Sequence, residues 1–154
     1  MEEHRSRIET HGVVMEHMGM TPVASRIFVY LMLCGGEGAI FDDMIAFFGV
    51  SKSAVSNALK VLTASGMVSS KTIGGQRRRF FYVNMRSLFN ENEMTEKYRQ
   101  FFNILDDVRR ARNIEDKFDK DLDDVSVLYK MLLIEFPIIL DRWRRTIELN
   151  SVKV

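Results

Sequence analysis

The order of apolar and polar positions along the chain predicts a mainly helical protein. Between residues 3 and 18, Ile8, Val14, Met15 and Met18 form a loose apolar stripe at helical spacing that stops at Gly19. Thr21 then stands where a helix N-cap belongs. Pro22 follows at the first helical position, where its missing N–H would be unpaired anyway. Val23 to Cys34 is interrupted only by Ser25 and Arg26, so this second helix should be buried on most sides. Gly35-Gly36-Glu37-Gly38 breaks it. A short helix from Asp42 to Phe48 comes next, with Met44, Ile45, Phe47 and Phe48 as apolar contacts, two acids favouring its dipole, and Gly49 closing it.

Ser51 is the natural N-cap of a helix from about Lys52 to Ser65, stopped by Gly66. At about 100° per residue, Val55, Ala58, Leu59 and Leu62 fall on one side, and Ser53, Ser56, Asn57 and Lys60 on the other. The outer face carries no acid, whereas a helix that merely faces solvent normally mixes Glu with Lys. Small hydrogen-bonding side chains let a helix press against a groove floor, where Asn reads adenine and Lys reaches guanine or phosphate. A strand-like run from Met67 to Ile73, a Gly74-Gly75 turn and a return from Gln76 to Val83 then predict a β-hairpin. Phe80 and Tyr82 alternate with Phe81 and Val83, and one of these pairs should face the helices. Arg77, Arg78 and Arg79 lie at the tip and return, the placement of a wing that lays arginine along phosphates or into a minor groove. The plainer reading is a surface hairpin with a charged edge that discourages aggregation.

Charge changes the picture more than composition does. The formal net charge is only +1, yet residues 1–50 carry a balance of −4, residues 51–85 one of +6 with no acid at all, and residues 86–154 one of −1. The central cationic stretch should attract polyanions, although a solvated face with counter-charges from elsewhere in the fold would have the same composition.

These residues resemble the winged helix-turn-helix domain of MarR-type transcriptional regulators, in particular the GbsR-like branch. The resemblance rests on Gly19-Met20-Thr21-Pro22, Ala24-Ser25-Arg26-Ile27, and Val50-Ser51-Lys52-Ser53-Ala54-Val55-Ser56 with Leu59 and Leu62. It continues through Gly66-Met67-Val68 and Gly75-Gln76-Arg77-Arg78-Arg79-Phe80-Phe81-Tyr82. It implies a homodimer that binds a pseudo-palindromic operator on double-stranded DNA, and an unidentified small-molecule effector that releases it. The expected fold class is mainly α (α+β winged helix). An N-terminal helix at 1–18 makes a dimer contact, a winged helix-turn-helix domain occupies 19–85, and a helical dimerisation region occupies 86–154. Lys52, Ser53, Ser56, Asn57 and Lys60, with Ser51 beside them, are the candidate base and near-base contacts. Lys71, Arg77, Arg78 and Arg79 are the candidates for phosphates or the adjacent minor groove.

The C-terminal region carries two apolar sets. Tyr98, Phe101, Phe102, Leu105 and Val108 recur at helical spacing. Leu122, Val125, Tyr129, Leu132, Phe136, Ile139 and Trp143 then follow steps of three and four, a helix-packing seam and the candidate dimer contact. Leu128, Met131, Ile134, Ile138 and Leu140 lie off that seam. A helix apolar on two faces must be covered twice, and the economical second cover is another copy of the chain. Pro137 should kink this helix without ending it.

Several classes of function are disfavoured. His4, His11 and His17 are not at the i,i+4 spacing that shares a metal, and the single Cys34 excludes a multi-thiolate site. Cys34 should pack as a small hydrophobe in a reducing compartment. No phosphate-binding glycine loop or nucleophile elbow is present, and the pairs Asp106-Asp107 and Asp123-Asp124 point to different helix faces. No enzymatic activity, cofactor or metal is expected. The aromatic residues and ten methionines would suit a pocket for a quaternary ammonium ion, but aromatics at helical period more often form plain core. The run Met131–Leu140, broken by Glu135 and Pro137, spans about half a bilayer, and the opening Met-Glu-Glu-His-Arg has no apolar core, so a cytoplasmic protein without membrane contact is expected. A winged helix used for protein–protein contact without DNA is the alternative, and salt-insensitive association would distinguish it.

Overall fold

Pro22 opens the helix on which the first half of the molecule is built. The computed structural model describes residues 1–73, 78–85, 91–112 and 114–151, and the chain divides into two units, Met1–Leu88 and Phe89–Val154.

In the first unit a short 3-10 turn leads into α1 (Arg5–His17), α2 (Pro22–Cys34), β1 (Ala39–Ile40), α3 (Phe41–Phe48) and α4 (Lys52–Ala64). The antiparallel strands β2 (Ser69–Thr72) and β3 (Arg79–Tyr82) complete it. Thr21 occupies the N-cap of α2 with extended backbone, but its side chain accepts no capping hydrogen bond. Pro22 contributes no N–H to satisfy there, and the Ser25 hydroxyl donates to the Pro22 carbonyl at 2.8 Å instead. Ala24, Ser25 and the run Ile27–Leu31 are buried, while Met32 and Leu33 emerge on the remaining face. Around α2 gather Ile8 of α1, Met44 of α3, Val55, Ala58, Leu59 and Leu62 of α4, and Val68. Cys34 is half-buried, and burial pushes its thiol pKa up, as suits a packing role.

The N-terminal stripe is narrower than its spacing suggests. Ile8 is buried and Met15 packs at the core's edge, but Val14 and Met18 are exposed. Arg26 lies along another side of α1 and donates to Glu9 at 2.7 Å and to Glu16. Gly12 is buried against it, and a Cβ there would lie 2.8 Å from the Arg26 Cγ. The arginine stem thus covers the Gly12 side of α1. At the start of α1, Arg5 donates to the Phe47 carbonyl at 2.9 Å and covers the Phe47 ring, fastening α1 to α3.

The sheet has the order β1-β3-β2. Register places Ser69 opposite Tyr82, Lys71 opposite Phe80 and Thr72 opposite Arg79, with Ala39 and Ile40 opposite Phe81 and Phe80. β2 is shorter than the strand expected from Met67, because the Met67 and Val68 amides turn back to the Leu62 carbonyl at the end of α4. The pair that faces the helices is Phe81 and Val83, of which Val83 is buried. The Gly74-Gly75 turn, Gln76 and Arg77 lie outside the described residues. β1 was not anticipated, since two residues are too short to display an alternating pattern.

The second unit consists of α5 (Glu91–Arg112) and α6 (Lys117–Ser151). Tyr98 meets Tyr129 and Phe136 at ring separations of 6.0 and 5.5 Å, Phe101 meets Tyr129 at 4.8 Å, and Arg109 pairs with Asp123 at 2.8 Å. Contacts that advance along α5 retreat along α6, so the helices are antiparallel. Asp116 starts α6 by accepting from the Asp119 amide at 2.8 Å. The helix runs on through Pro137.

Candidate nucleic-acid interface

The helix-turn-helix is built by local chemistry. Gly49 ends α3 in the left-handed conformation (φ 62°, ψ 26°), its amide donating to the Ile45 carbonyl at 2.9 Å. Two residues later Ser51 caps α4, its Oγ accepting from the Ala54 amide at 3.2 Å and lying 2.9 Å from the Ser53 Oγ. No acid stands in the first turn of α4, so the positive end of its dipole is left for an external anion.

The two faces of α4 divide as the periodicity predicts. Val55, Ala58, Leu59 and Leu62 are buried. Lys52, Ser53, Ser56, Asn57 and Lys60 are exposed. Arg79, the first residue of β3, is exposed and joins Ser56, Lys60 and Thr63 around a cleft of about 600 Å³ floored by Phe41 and Phe81. The third strand therefore sets a wing arginine on the Ser56–Lys60 flank of α4. Arg78 is exposed immediately before it, while Arg77 falls outside the described residues.

Lys71 has a different situation. Its ammonium donates to the Gly36 carbonyl at 2.7 Å and lies 5.1 Å from the Tyr82 ring centre, tying β2 to the loop that precedes β1. Its side chain therefore serves the fold. Among the described residues, no carboxylate pairs with Lys52, Lys60, Arg78 or Arg79. Three acids of this unit are engaged elsewhere, Glu9 and Glu16 by Arg26 and Glu2 by Arg5.

Sequence periodicity passed over Val61 of α4, a residue 56% exposed one turn beyond Asn57. A single valine disturbs no pattern, so only its exposure in the fold reveals it.

In the second unit the seam expected to join two copies is divided. Leu122 is buried, and the Tyr129 and Phe136 rings pack on α5 of the same chain, with Leu132 half-buried. Val125, Ile139 and Trp143 are partly exposed. The more open set is the off-seam one: Leu128, Met131, Ile134 and Ile138 are 47–64% exposed, and of that set only Leu140 is buried. A hairpin of two helices has a single inner face, and the larger aromatic side chains occupy it. Among the described residues there is no cluster of His, Cys, Asp or Glu that could hold a metal, and no helix is long and apolar enough to cross a membrane.

A helix, a glycine turn, a serine-capped helix and an arginine-bearing ribbon beside it define a winged helix-turn-helix protein. Residues 18–79 match the sequence model of the MarR family, a family of DNA-binding transcriptional regulators that are not enzymes. A solved structure described as a transcriptional regulator shares the fold with a TM-score of 0.76 at 18% identity, covering 90% of this chain and 95% of that one. Lower in similarity are the S. aureus MepR–DNA complex (TM-score 0.43, 14% identity, 80% of this chain and 94% of that one) and the transcriptional regulator Tm0710 from Thermotoga maritima (0.41, 20%, 88% and 93%). No curated protein matches the chain by sequence.

Proposed function

We propose that this chain is a cytoplasmic, sequence-specific transcriptional regulator of the GbsR-like branch of MarR-type proteins, binding double-stranded DNA as a homodimer. The carrying observation is the acid-free exposed face of α4 with Arg79 on its flank and no carboxylate among the described residues to neutralise either. Surfaces of this kind gain affinity by releasing counterions from phosphates. Lys52, Ser53, Ser56, Asn57 and Lys60 enter the major groove, and Arg77, Arg78 and Arg79 lie on the backbone or in the minor groove. Two copies place two such helices on half-sites roughly 34 Å apart. The open stripe Leu128, Met131, Ile134 and Ile138 supports pairing of copies through α6, because an apolar row of that length is rarely left to water. A small-molecule effector modulates the complex.

Fluorescence anisotropy on selected and random duplexes across a salt series tests the reading. Wild type binds both at low salt and prefers the selected site as salt rises. Asn57→Ala reduces that preference by about 1–3 kcal/mol, roughly 5- to 150-fold. Arg78→Ala weakens every duplex alike and lowers the salt slope by about one. Loss of all retention at low salt, or two variants indistinguishable from wild type, overturns the assignment.

A further inference from the structure

We infer that Val61 reads the methyl group of a thymine, one helical turn beyond the base pair read by Asn57; the inference rests on the DNA-binding reading above. Val61 and Asn57 are i,i+4 neighbours on α4, which brings their Cβ atoms within about 6 Å of each other. The flank of α4 that borders the wing cleft carries Ser56, Leu59, Lys60, Thr63 and Ala64. At 100° per residue Asn57 and Val61 form a second row, further round the helix from Ser56 and Thr63.

Among the described residues Val61 is not needed to close the core. The buried face of α4 is already complete with Val55, Ala58, Leu59 and Leu62, each at most 4% exposed. Valine also propagates a helix less well than the Lys, Glu or Ala that suit a solvated position. Among the described residues it is the one exposed large apolar side chain of α4. On a face otherwise made of hydroxyls, an amide and ammonium groups, an isopropyl group has one complement on the floor of a major groove, the thymine C5-methyl. The pairing is also compatible with Asn57. A bidentate amide contact to adenine and an apolar contact to thymine, separated along the helix by about 6 Å, fall within about two base pairs of each other.

Removing one methyl–methyl contact of this kind corresponds to the burial of about one methylene, close to a fourfold change in affinity. The experiment uses the full chain and a duplex recovered from a randomised pool. The adenine read by Asn57 is located as the position whose preference Asn57→Ala loses. Each thymine within about two base pairs of it is then replaced by uracil, which lacks only the C5-methyl group. One replacement should weaken wild type about fourfold and leave Val61→Ala unaffected. Val61→Thr, which keeps a methyl group, should retain the discrimination, and Val61→Ser should lose it, all four proteins melting alike. If uracil weakens wild type and Val61→Ala equally at every position, the role of Val61 is overturned while DNA binding stands. A wild-type chain that recovers no duplex overturns both.

Discussion

Gly38 carries the most severe backbone constraint in the winged unit, and replacing it by alanine measures how firmly the wing is seated. Its φ is +75°, in the left-handed region, and an added Cβ would lie 2.2 Å from the Phe81 carbonyl oxygen and 2.9 Å from the Phe81 carbonyl carbon. The left-handed backbone alone costs an L-residue about 1–2 kcal/mol. The collision is with main chain, which no rotamer change relieves, and overpacking of that sort costs about 1–3 kcal/mol more. Two comparators separate the contributions. Gly49 has φ +62° with nothing within 4 Å, so Gly49→Ala carries the backbone cost alone; Gly36 has neither feature, so Gly36→Ala should melt near wild type. A unit of this size loses about 4–8 °C in Tm per kcal/mol. The expected order of melting is therefore Gly36→Ala above Gly49→Ala above Gly38→Ala, the last at least about 8 °C below wild type. Thermal unfolding followed by circular dichroism checks the order. Hydrogen exchange at Ile40 and Phe80, which face each other across β1 and β3, checks that the damage is at this pairing. Duplex affinity of Gly38→Ala should fall as well, because β3 carries Arg79. Should Gly38→Ala melt with Gly36→Ala, the close approach of the loop to β3 imposes no constraint and the account of the wing's seating is wrong.

Two further outcomes follow from the second unit. Ile134→Glu places a charge at the most exposed position of the open α6 stripe; sedimentation should give wild type twice the 17.9 kDa chain mass and this variant a single chain, whereas an unchanged dimer would move the interface elsewhere. Asp116 holds its carboxyl below the usual value, chiefly because the Asp119 amide donates to it, with Arg112 adding to the effect. A depressed carboxyl pKa adds stability above the ordinary value near 3.8 and loses it as pH falls through the folded-state value. Asp116→Ala should therefore lower the melting temperature at neutral pH by an amount that shrinks on acidification. Asp116→Asn, which keeps a capping oxygen, should restore most of the loss at neutral pH; a gap between Asp116→Ala and wild type that is constant with pH would refute the cap.

Much of the candidate interface was legible because it is made of local signals. Ser51 as a cap, Gly49 as a left-handed stop and the periodicity of Val55, Ala58, Leu59 and Leu62 involve neighbours within about two turns, and the structure places each as expected. Thr21 shows where such signals fall short: the N-cap position is right, but Pro22 removes a donor and Ser25 takes over the carbonyl nearby. Lys71 looked like another free cation in an acid-free run. Its partner Gly36 lies 35 residues back in the chain, beyond any short-range rule.

From its sequence alone this chain determines which side of α4 is buried, where α2, α3 and α4 start and stop, and that one stretch is cationic with no acid of its own, because helical period, capping and charge act over a few residues. Tertiary packing decides what period cannot. The Arg26 stem, ten or more residues away in the chain, covers Gly12 on α1, and two residues after Gly38 become a strand only because β3 offers them an edge. Of the two apolar sets of α6, one closes on α5 through Tyr129 and Phe136, and the other stays open apart from Leu140. Each of these outcomes depends on which distant group reaches a surface first, and side-chain spacing carries no record of that competition.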